Sequence, residues 1–499
     1  MSKRESNVHD ALADRLFGEA ESDPSLKGKK AHKLEEKLRP ALLAAQYAQL
    51  ERADRATLIV ISGIDGVGKG ATVNQLTEWM DARHIEASAF GAPTPEEKLR
   101  PPMWRYWNQL PAKGRTWIVF GSWYAQLVAE FADKDPDIDD AGAQIQAIRD
   151  FEAMLAANGI QIVKLWFHLS RDAQKKRTKR LLADPYAAWQ VTEQDQEVPR
   201  RFAQARRSAA AMISLTDTPH APWVVIPSAD DDLRMIRTAE AVLDTLTRRR
   251  VHPPAAPDAP RDVPDQLTGQ DYDEAMGKSS YKKALTELTN RLARATRHKS
   301  FADRSLVLVF EGQDAAGKGG SIRRVAQALD IRKFSIQQIS APRPFELNRP
   351  YLWRFWRDVP AHGRTTIFDR SWYGRVLVER VEGFAKPAEW HRAYDEINEF
   401  ERQLAEDGAI VLKFWLAISK DEQLRRFRER KTTAYKSYKI TREDWRNRKK
   451  WDDYLVAAND MLAMTDTTCA PWHVVATNDK RLARIRVLSA IVNALEESL

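Results

Sequence analysis

The stretch Ser305-Leu-Val-Leu-Val-Phe-Glu-Gly312-Gln-Asp-Ala-Ala-Gly317-Lys318-Gly319 decides the fold of this chain. A short apolar run leads into a glycine loop, and Ser321–Leu329 then has the residue pattern of a helix. Glycines allow backbone N–H groups to close around phosphate oxygens, the lysine reaches the phosphate that is transferred, and the helix N-terminus adds positive potential. The stretch therefore predicts a phosphate-binding loop between a strand and a helix.

The same loop occurs 249 residues earlier, as Gly63-Ile-Asp-Gly-Val-Gly68-Lys69-Gly70. The ungapped match extends beyond the loops, because Pro101–Tyr124 and Pro350–Tyr373 are identical at 13 of 24 positions. A repeat of this length is the size of a domain and indicates duplication of a unit of roughly 230 residues. We predict a first domain at residues 1–250, a proline-rich linker at 251–268 and a second domain at 269–499.

Strand-like and helix-like segments alternate in each repeat, which indicates an α/β fold with a parallel sheet covered on both faces. In the second repeat, Thr365–Phe368 and Ala409–Ile418 are strand candidates, and apolar residues at helical spacing from Trp390 to Leu404 predict a helix. The first 22 residues are polar, and we expect them to be disordered.

The composition limits the class of protein and the kind of partner. Mean hydropathy is −0.54, no apolar run is long enough to span a membrane, and the N-terminus has no secretory h-region. The lone cysteine, Cys469, excludes an internal disulfide, fits a reducing cytoplasmic compartment and is expected to be a packed core thiol. A net charge of +9 favours a polyanionic partner: nucleic acid, polyphosphate, nucleotide or an anionic surface.

The loop departs from the usual pattern at its metal-binding position. A Ser or Thr normally follows the lysine and binds Mg²⁺, but Gly319 stands there. Asp314, inside the loop, is the candidate replacement, with a turn-capping aspartate as the alternative. Asp369 follows an apolar strand and is the expected second Mg²⁺ ligand, and Arg370 can neutralise charge on the transferred group. A purely structural Asp–Arg pair is the alternative for these two residues.

The first repeat lacks this acid and base, because Phe120 and Gly121 occupy the positions of Asp369 and Arg370. The aromatic residues around them persist in both repeats, so Trp353, Trp356, Trp372 and Tyr373 are predicted to be core residues rather than base-stacking platforms. Arg364 and Arg375 are further candidates for phosphate contacts, with ordinary surface arginines as the alternative.

A basic segment distinguishes the repeats further. Arg425–Lys450 contains twelve Lys/Arg and three Asp/Glu, whereas its counterpart Lys176–Arg201 contains six and four. We interpret it as a mobile lid that closes over phosphates and expels water. The alternatives are a solvated charged helix and a nucleic-acid site. The cluster comprises Arg425, Arg426, Arg428, Arg430, Lys431, Lys436 and Lys439.

The loop, the sequence Asp369-Arg-Ser-Trp-Tyr373 and the later Ala470-Pro-Trp-His-Val-Val475 together resemble the family-2 polyphosphate kinases, over nearly the whole of both repeats. The tandem arrangement resembles the two-domain polyphosphate:AMP phosphotransferases. This resemblance implies two P-loop kinase-like domains, each with a helical lid, and Mg²⁺-dependent transfer from inorganic polyphosphate to a nucleotide. For the two-domain group the acceptor is AMP, which becomes ADP.

The resemblance also implies roles for individual residues. The first repeat keeps Asp65 and Lys69 but departs at Phe120, Gly121 and Gln126 and has Leu181 and Leu182 opposite two lid cations, so we predict a structural or auxiliary polyanion-binding role for it. The implied catalytic residues are Asp314, Lys318, Asp369, Arg370, Arg426 and Arg430. The implied phosphate-binding residues are Gly312, Gly317, Lys318, Gly319, Arg375 and Lys431, and the implied Mg²⁺ ligands are Asp314 and Asp369.

Two other functions are compatible with the sequence. One is an ATP-dependent nucleotide kinase of the same fold, and the other is a basic nucleic-acid-binding protein with a vestigial loop. Among partners we expect inorganic polyphosphate and a nucleotide rather than nucleic acid or a membrane, and a homo-oligomer is left open.

Overall fold

The structure, a computed structural model, describes residues 3–125, 127–128, 138–248, 263–432 and 442–499. Backbone contacts divide the chain into two compact units. The first unit consists of Met1–Ala92, Gln109–Pro254 and Arg343–Tyr351, and the second consists of Pro93–Asn108, Ala255–Pro342 and Leu352–Leu499. Most of the linker predicted at 251–268 lies outside the described residues, so the domain boundaries remain a prediction.

The first repeat forms helices around five strands in its described part. The strands are β1 (Ala56–Gly63), β2 (Ile85–Ala89), β3 (Thr116–Phe120), β4 (Ile160–His168) and β5 (Trp223–Pro227). The helices are α1 (Lys3–Glu21), α2 (Lys29–Arg52), α3 (Lys69–Trp79), α4 (Trp104–Gln109), α5 (Ile138–Ala157), α6 (Arg171–Ala183), α7 (Glu193–Thr216) and α8 (Asp231–Thr247). Short 3-10 turns are Ala82–His84, Glu97–Leu99 and Ala188–Gln190.

The second repeat has the same succession of strands. They are β6 (Ser305–Gly312), β7 (Phe334–Gln338), β8 (Thr365–Asp369), β9 (Ala409–Ala417) and β10 (Trp472–Ala476). Its helices are α9 (Lys278–Ala295), α10 (Lys318–Ala328), α11 (Pro344–Leu347), α12 (Trp353–Trp356), α13 (Val378–Val381), α14 (Pro387–Glu406), α15 (Lys420–Thr432), α16 (Arg442–Lys449), α17 (Trp451–Thr465) and α18 (Lys480–Ser498). The 3-10 turns are Lys299–Asp303 and Trp372–Arg375.

Each unit contains a parallel sheet with one strand order. It is β2-β3-β1-β4-β5 in the first unit and β7-β8-β6-β9-β10 in the second. The central strand of the second unit, β6, pairs Phe310 with Asp369 of β8, so the glycine loop and Asp369 leave the same edge of the sheet side by side. Ligands of open parallel sheets bind at this carboxyl edge, and the fold therefore locates the candidate site there.

The predicted strands and the predicted α/β class are confirmed. Strands β6, β8 and β9 are buried along nearly their whole length, as expected for a parallel sheet that is covered on both faces. The four aromatic residues predicted as core are all buried, with Trp372 and Tyr373 fully enclosed. In the described residues no helix is both long enough and apolar enough to cross a membrane.

Two expectations from the sequence are wrong. The first 22 residues are not irregular, because Lys3–Glu21 forms α1, with Ala13, Phe17 and Ala20 buried along one face. Cys469 is exposed rather than packed in the core. It lies in the turn before β10, closed by the bridge between Thr467 and Ala470, and this turn buries Ala470 but leaves Thr468 and the thiol exposed.

Candidate active site

The glycine loop of the second unit adopts backbone conformations that require glycine. Gly312 has φ +131°, and a Cβ there would lie 2.2 Å from the carbonyl oxygen of Leu416. Gly317 has φ +120°, and the chain then enters α10 at Lys318. The loop therefore turns back over the end of β6 and presents the N-terminus of α10 to a ligand, as the sequence predicted.

Lys318 lies over the loop it follows. Its ammonium donates to the carbonyl oxygens of Gly312 at 2.7 Å and Gln313 at 3.3 Å. Burial, and then the neighbouring Arg370, lower the pKa of Lys318. A bound phosphate would offset both effects, because it adds negative charge beside a crowded cation.

Asp314 and Arg370 meet across the loop. The Arg370 guanidinium donates to Asp314 Oδ1 at 3.0 Å, and Asn447 at the end of α16 donates to Asp314 Oδ2 at 2.8 Å. Partial burial acts to lower the pKa of Arg370, but the negative charges of Asp314 and then Glu311 prevail and raise it. Arg370 also has φ +63°, a left-handed conformation that is strained for a side chain of this size. Strained residues concentrate at functional sites, and this one directs its cation at the loop.

Glu311 is a buried member of the site that sequence reasoning missed. Ser371 donates to Glu311 Oε1 at 2.8 Å, and burial raises the pKa of the Glu311 carboxyl. The carboxyl faces Lys318 and Arg370 and holds the turn that follows Asp369. One signal could have found it, since the first repeat has Ser62 at the aligned position.

Arg426 supports the loop from behind. It is 3% exposed and donates to the carbonyl oxygens of Ala315 at 2.8 Å, Ala316 at 2.9 Å and Asn478 at 2.7 Å. Glu422 balances its charge at 2.6 Å. In this structure Arg426 therefore positions the loop, and its contact with a transferred phosphate remains a prediction.

The other predicted basic residues are distributed differently. Arg375 ends a 3-10 turn and pairs with Glu379 at 3.1 Å. Arg430 and Lys431 lie in the last turn of α15. Arg364 precedes β8, at the edge of the sheet opposite the loop, so it is not brought to the site. Helices α15 and α16 form the described part of the predicted lid, and Lys436 and Lys439 lie outside the described residues.

The carboxylates of the site fit Mg²⁺. Among the described residues no group of three His, Cys, Asp or Glu side chains is arranged to hold a metal. Mg²⁺ does not require one, because it is held by one or two carboxylates together with phosphates and water. Asp369 faces Lys318 and Arg370, and each oxygen of Asp314 accepts one hydrogen bond and keeps another lone pair. Asp314 and Asp369 are therefore suitable ligands.

An apolar pocket opens beside Asp314 and Arg370. It is formed by the turn after β8, by α13 and by the start of α17. Its apolar lining includes Leu377, Val378, Trp415, Trp451, Tyr454 and Leu455. The site thus joins a charged phosphate-binding part to an apolar part of the kind that accepts a flat ring.

The first unit keeps the loop but not its surroundings. Gly63, Gly66 and Gly68 have φ +140°, +75° and +92°, close to the values of +131°, +65° and +120° at the corresponding positions of the second unit. Lys69 donates to the carbonyl oxygens of Gly63 at 2.8 Å and Ile64 at 3.1 Å, as Lys318 does to its own loop, and it also forms an ion pair with Asp65 at 3.0 Å. At the positions aligned with Asp369 and Arg370 the first unit has Phe120 and Gly121, so neither the acid nor the guanidinium is present at these two positions.

Comparison with known proteins extends these observations over the whole chain. The family model described as polyphosphate kinase 2 matches residues 25–254 and again residues 275–499. The chain belongs to the polyphosphate kinase 2 family. Membership of this family confirms the resemblance inferred from the loop and from Asp369-Arg-Ser-Trp-Tyr373, and the two matches confirm the tandem organisation.

Several relatives match nearly the whole of this chain. The polyphosphate:AMP phosphotransferase of Pseudomonas aeruginosa is 46% identical over 492 residues, which cover 96% of this chain and 99% of the relative. That of Acinetobacter johnsonii is 42% identical, with 93% and 96% covered. A crystal structure described as a candidate polyphosphate kinase 2 from Pseudomonas aeruginosa has a TM-score of 0.87 at 44% identity and covers 97% of this chain.

Proposed function

We propose that this protein transfers the terminal phosphoryl group of inorganic polyphosphate to AMP, giving ADP, and that the second unit performs the transfer. The observation that carries the proposal is the cluster of Asp314, Lys318, Asp369 and Arg370 at the carboxyl edge of one sheet. The names of relatives that match nearly the whole chain support both substrates. A phosphate loop with convergent cations suits the donor, and the apolar pocket beside it suits the base of a nucleotide acceptor.

The geometry supports direct in-line transfer. The loop and Lys318 hold the end of the polyphosphate, and Arg370 lies where charge spreads over the transferred group. An oxygen of the AMP phosphate attacks the terminal phosphorus, the bond from that phosphorus to its bridging oxygen breaks, and the chain leaves one phosphate shorter. The attacking oxygen is already ionised at neutral pH, so no general base is required. When bound by Asp314 and Asp369, Mg²⁺ supplies neutralisation of phosphate charge.

A donor comparison and a matched pair of variants test the proposal. The full chain is supplied with AMP and Mg²⁺ and with either polyphosphate or ATP, and formation of ADP is followed. We expect transfer from polyphosphate. Asp369→Ala should reduce it by at least about a hundredfold, because a ligand of the metal and phosphate charge is lost. Asp65→Ala, at the position in the first unit aligned with Asp314, should change it less than about twofold.

The outcomes separate the alternatives. Activity with ATP alone would replace the donor in this proposal, and equal losses in the two variants would mean that both units are needed for the transfer itself. Removing divalent cations with a chelator should abolish transfer, and added Mg²⁺ should restore it. We place the activity in the cytoplasm, a proposal supported by the single cysteine.

A further inference from the structure

We propose that Asn447 of helix α16 is a positioning residue for Asp314, which directs the loop carboxylate while leaving its negative charge available to a cation. This role rests on the proposed function, in which Asp314 holds Mg²⁺. It assigns part of the site to a residue that lies outside both the glycine loop and the turn after β8.

The hydrogen bond between Asn447 and Asp314 has fixed donor and acceptor roles. The Asn447 amide nitrogen donates to Asp314 Oδ2 at 2.8 Å, and the Tyr454 hydroxyl donates to Asn447 Oδ1 at 3.4 Å. The reverse orientation of the amide would place an oxygen against the carboxylate, where neither atom can donate. The Asp314 side chain is 11% exposed, so little solvent competes with the amide. Asn447 therefore determines the direction of Oδ2.

Helix α16 is held beside the loop by further contacts. Arg448 donates to Gln423 Oε1 at 3.0 Å, and Gln423 donates in turn to the backbone carbonyl of Asp314 at 3.1 Å. Lys450, just after the helix, pairs with Glu382 at 3.1 Å. The helix thus has a defined position from which its amide side chain reaches the loop.

The residue at position 447 is neutral in a strongly basic segment. Five of the nine residues at 442–450 are Lys or Arg, yet the side chain that reaches Asp314 Oδ2 is an amide. Arg370 already donates to Oδ1 at 3.0 Å. A second cation, on Oδ2, would compete with Mg²⁺ for the carboxylate, whereas an amide orients the oxygen without neutralising its charge. Asn447 therefore suits a carboxylate that must remain a ligand.

The first unit keeps the loop aspartate, as Asp65, without the residues of this contact. The residues aligned with Asn447 and Tyr454 are Val198 and Ala205, whose side chains neither donate nor accept hydrogen bonds. The amide and the hydroxyl thus occur in the unit that has the complete site. A role in transfer explains this association better than a role in folding.

Two substitutions at position 447 separate orientation of the carboxylate from attachment of the helix. Asn447→Val introduces the residue of the first unit and removes the donor, whereas Asn447→Arg keeps a donor but adds a positive charge. Transfer from polyphosphate to AMP is measured against free Mg²⁺ concentration. We expect the concentration for half-maximal transfer to rise about tenfold in both variants, since partners of metal ligands have effects of this size. Excess Mg²⁺ should restore most of the kcat of Asn447→Arg, because the arginine competes with the metal.

Hydrogen exchange of the α16 backbone amides shows whether the helix stays attached. We expect wild-type exchange in Asn447→Arg, whose guanidinium can still donate to Asp314. A wild-type Mg²⁺ requirement in either variant overturns the positioning role. So does a raised requirement in Asn447→Arg that is accompanied by rapid exchange throughout α16, because detachment of the helix would then explain it.

A matched asparagine on the next helix provides the control. Asn459 of α17 contacts the backbone of Gln266 and the carboxylate of Asp265, each at 2.9 Å. Asn459→Val and Asn459→Arg should change the Mg²⁺ requirement less than about twofold. Thermal unfolding checks that all four variants fold.

A binding measurement separates this role from the proposed function. If the wild type transferred nothing from polyphosphate to AMP, the proposed function would fail. Titration with Mn²⁺, which accepts the same carboxylate ligands and is followed by the paramagnetic signal of the free ion, would still test the role of Asn447. Weaker Mn²⁺ binding by both variants at position 447 supports it, and wild-type binding by either contradicts it.

Discussion

At the residue scale, the two units share one left-handed backbone conformation but have different residues in it. Arg370 has φ +63°, and Gly121 at the aligned position has φ +58°. A Cβ on Gly121 would lie 2.0 Å from the carbonyl oxygen of Phe90, so that position is restricted to glycine. The turn is therefore shared, but only the second unit maintains it with an arginine, at a cost of about 1–2 kcal/mol. Such a cost is retained where the side chain has a function.

Replacing Arg370 by glycine should separate strain from function. Arg370→Gly removes the strain together with the guanidinium, so we expect the free energy of unfolding to change by less than about 1 kcal/mol while transfer falls at least a hundredfold. Arg370→Ala keeps the strain and should lose the same activity while being about 1 kcal/mol less stable than the glycine variant. Denaturant unfolding and ADP formation measure the two effects. Retained transfer in Arg370→Gly would exclude the catalytic role.

At the scale of elements, the N-terminal helix α1 explains a further asymmetry. Glu21 accepts from Arg206 at 2.7 Å and lies 2.9 Å from His168, and Phe17 stacks on His168 with ring centroids 4.0 Å apart. In the second unit the residues aligned with Arg206 and with Trp166, which also neighbours Phe17, are Leu455 and Trp415 of the apolar pocket. In the first unit, therefore, these two positions hold helix α1. In the second unit, the same two positions line the apolar pocket.

The contacts that hold α1 should contribute less to the free energy of unfolding at acidic pH. Burial acts to raise the pKa of Glu21, but its hydrogen bonds with His168 and Arg206 prevail and hold it at about 2, below the ordinary 4.5. A depressed pKa adds stability that is complete above the ordinary value and is lost as the pH falls from about 4.5 towards 2. The unfolding free energy of the wild type should therefore fall more steeply in this range than that of Glu21→Gln. Glu19→Gln, which removes an exposed carboxylate of the same helix, should behave like wild type.

At the scale of the whole molecule, each unit contains the same kind of buried ion pair in its core. Lys413 donates to Glu401 at 2.7 Å, to the Tyr373 hydroxyl at 2.9 Å and to the carbonyl of Thr465 at 2.6 Å. Lys164 of the first unit makes the same three contacts within 0.1 Å, with Glu152, Tyr124 and Thr216. The duplicated arrangement ties β9 or β4 to the helix and turn before it, whether or not the unit has a complete site, so its role is structural.

Removing one partner of this pair should destabilise either unit. Glu401→Gln leaves the Lys413 ammonium buried without its negative partner, and we expect a loss of about 3–5 kcal/mol in the stability of the second unit. Glu152→Gln should have a similar effect on the first unit. Thermal unfolding measures both, and transfer should be lost at a lower temperature in Glu401→Gln. Glu287→Gln, at an exposed pair on α9, is the control and should change stability by less than about 1 kcal/mol. An unaltered transition in Glu401→Gln would contradict the structural role.

The sequence by itself determined the repeat, the α/β class and the loop. Glycine spacing and apolar periodicity can be read from neighbouring residues, and the two repeats can be compared position by position without a gap. It also located Asp314, Asp369 and Arg370. Glu311, Asn447 and the role of Arg426 were decided only by the tertiary structure, since Asn447 reaches Asp314 across 133 positions and Arg426 reaches Ala315 across 111. The same holds for α1. Folding brings distant segments to one edge of a sheet, and no local pattern records which charges then remain unbalanced.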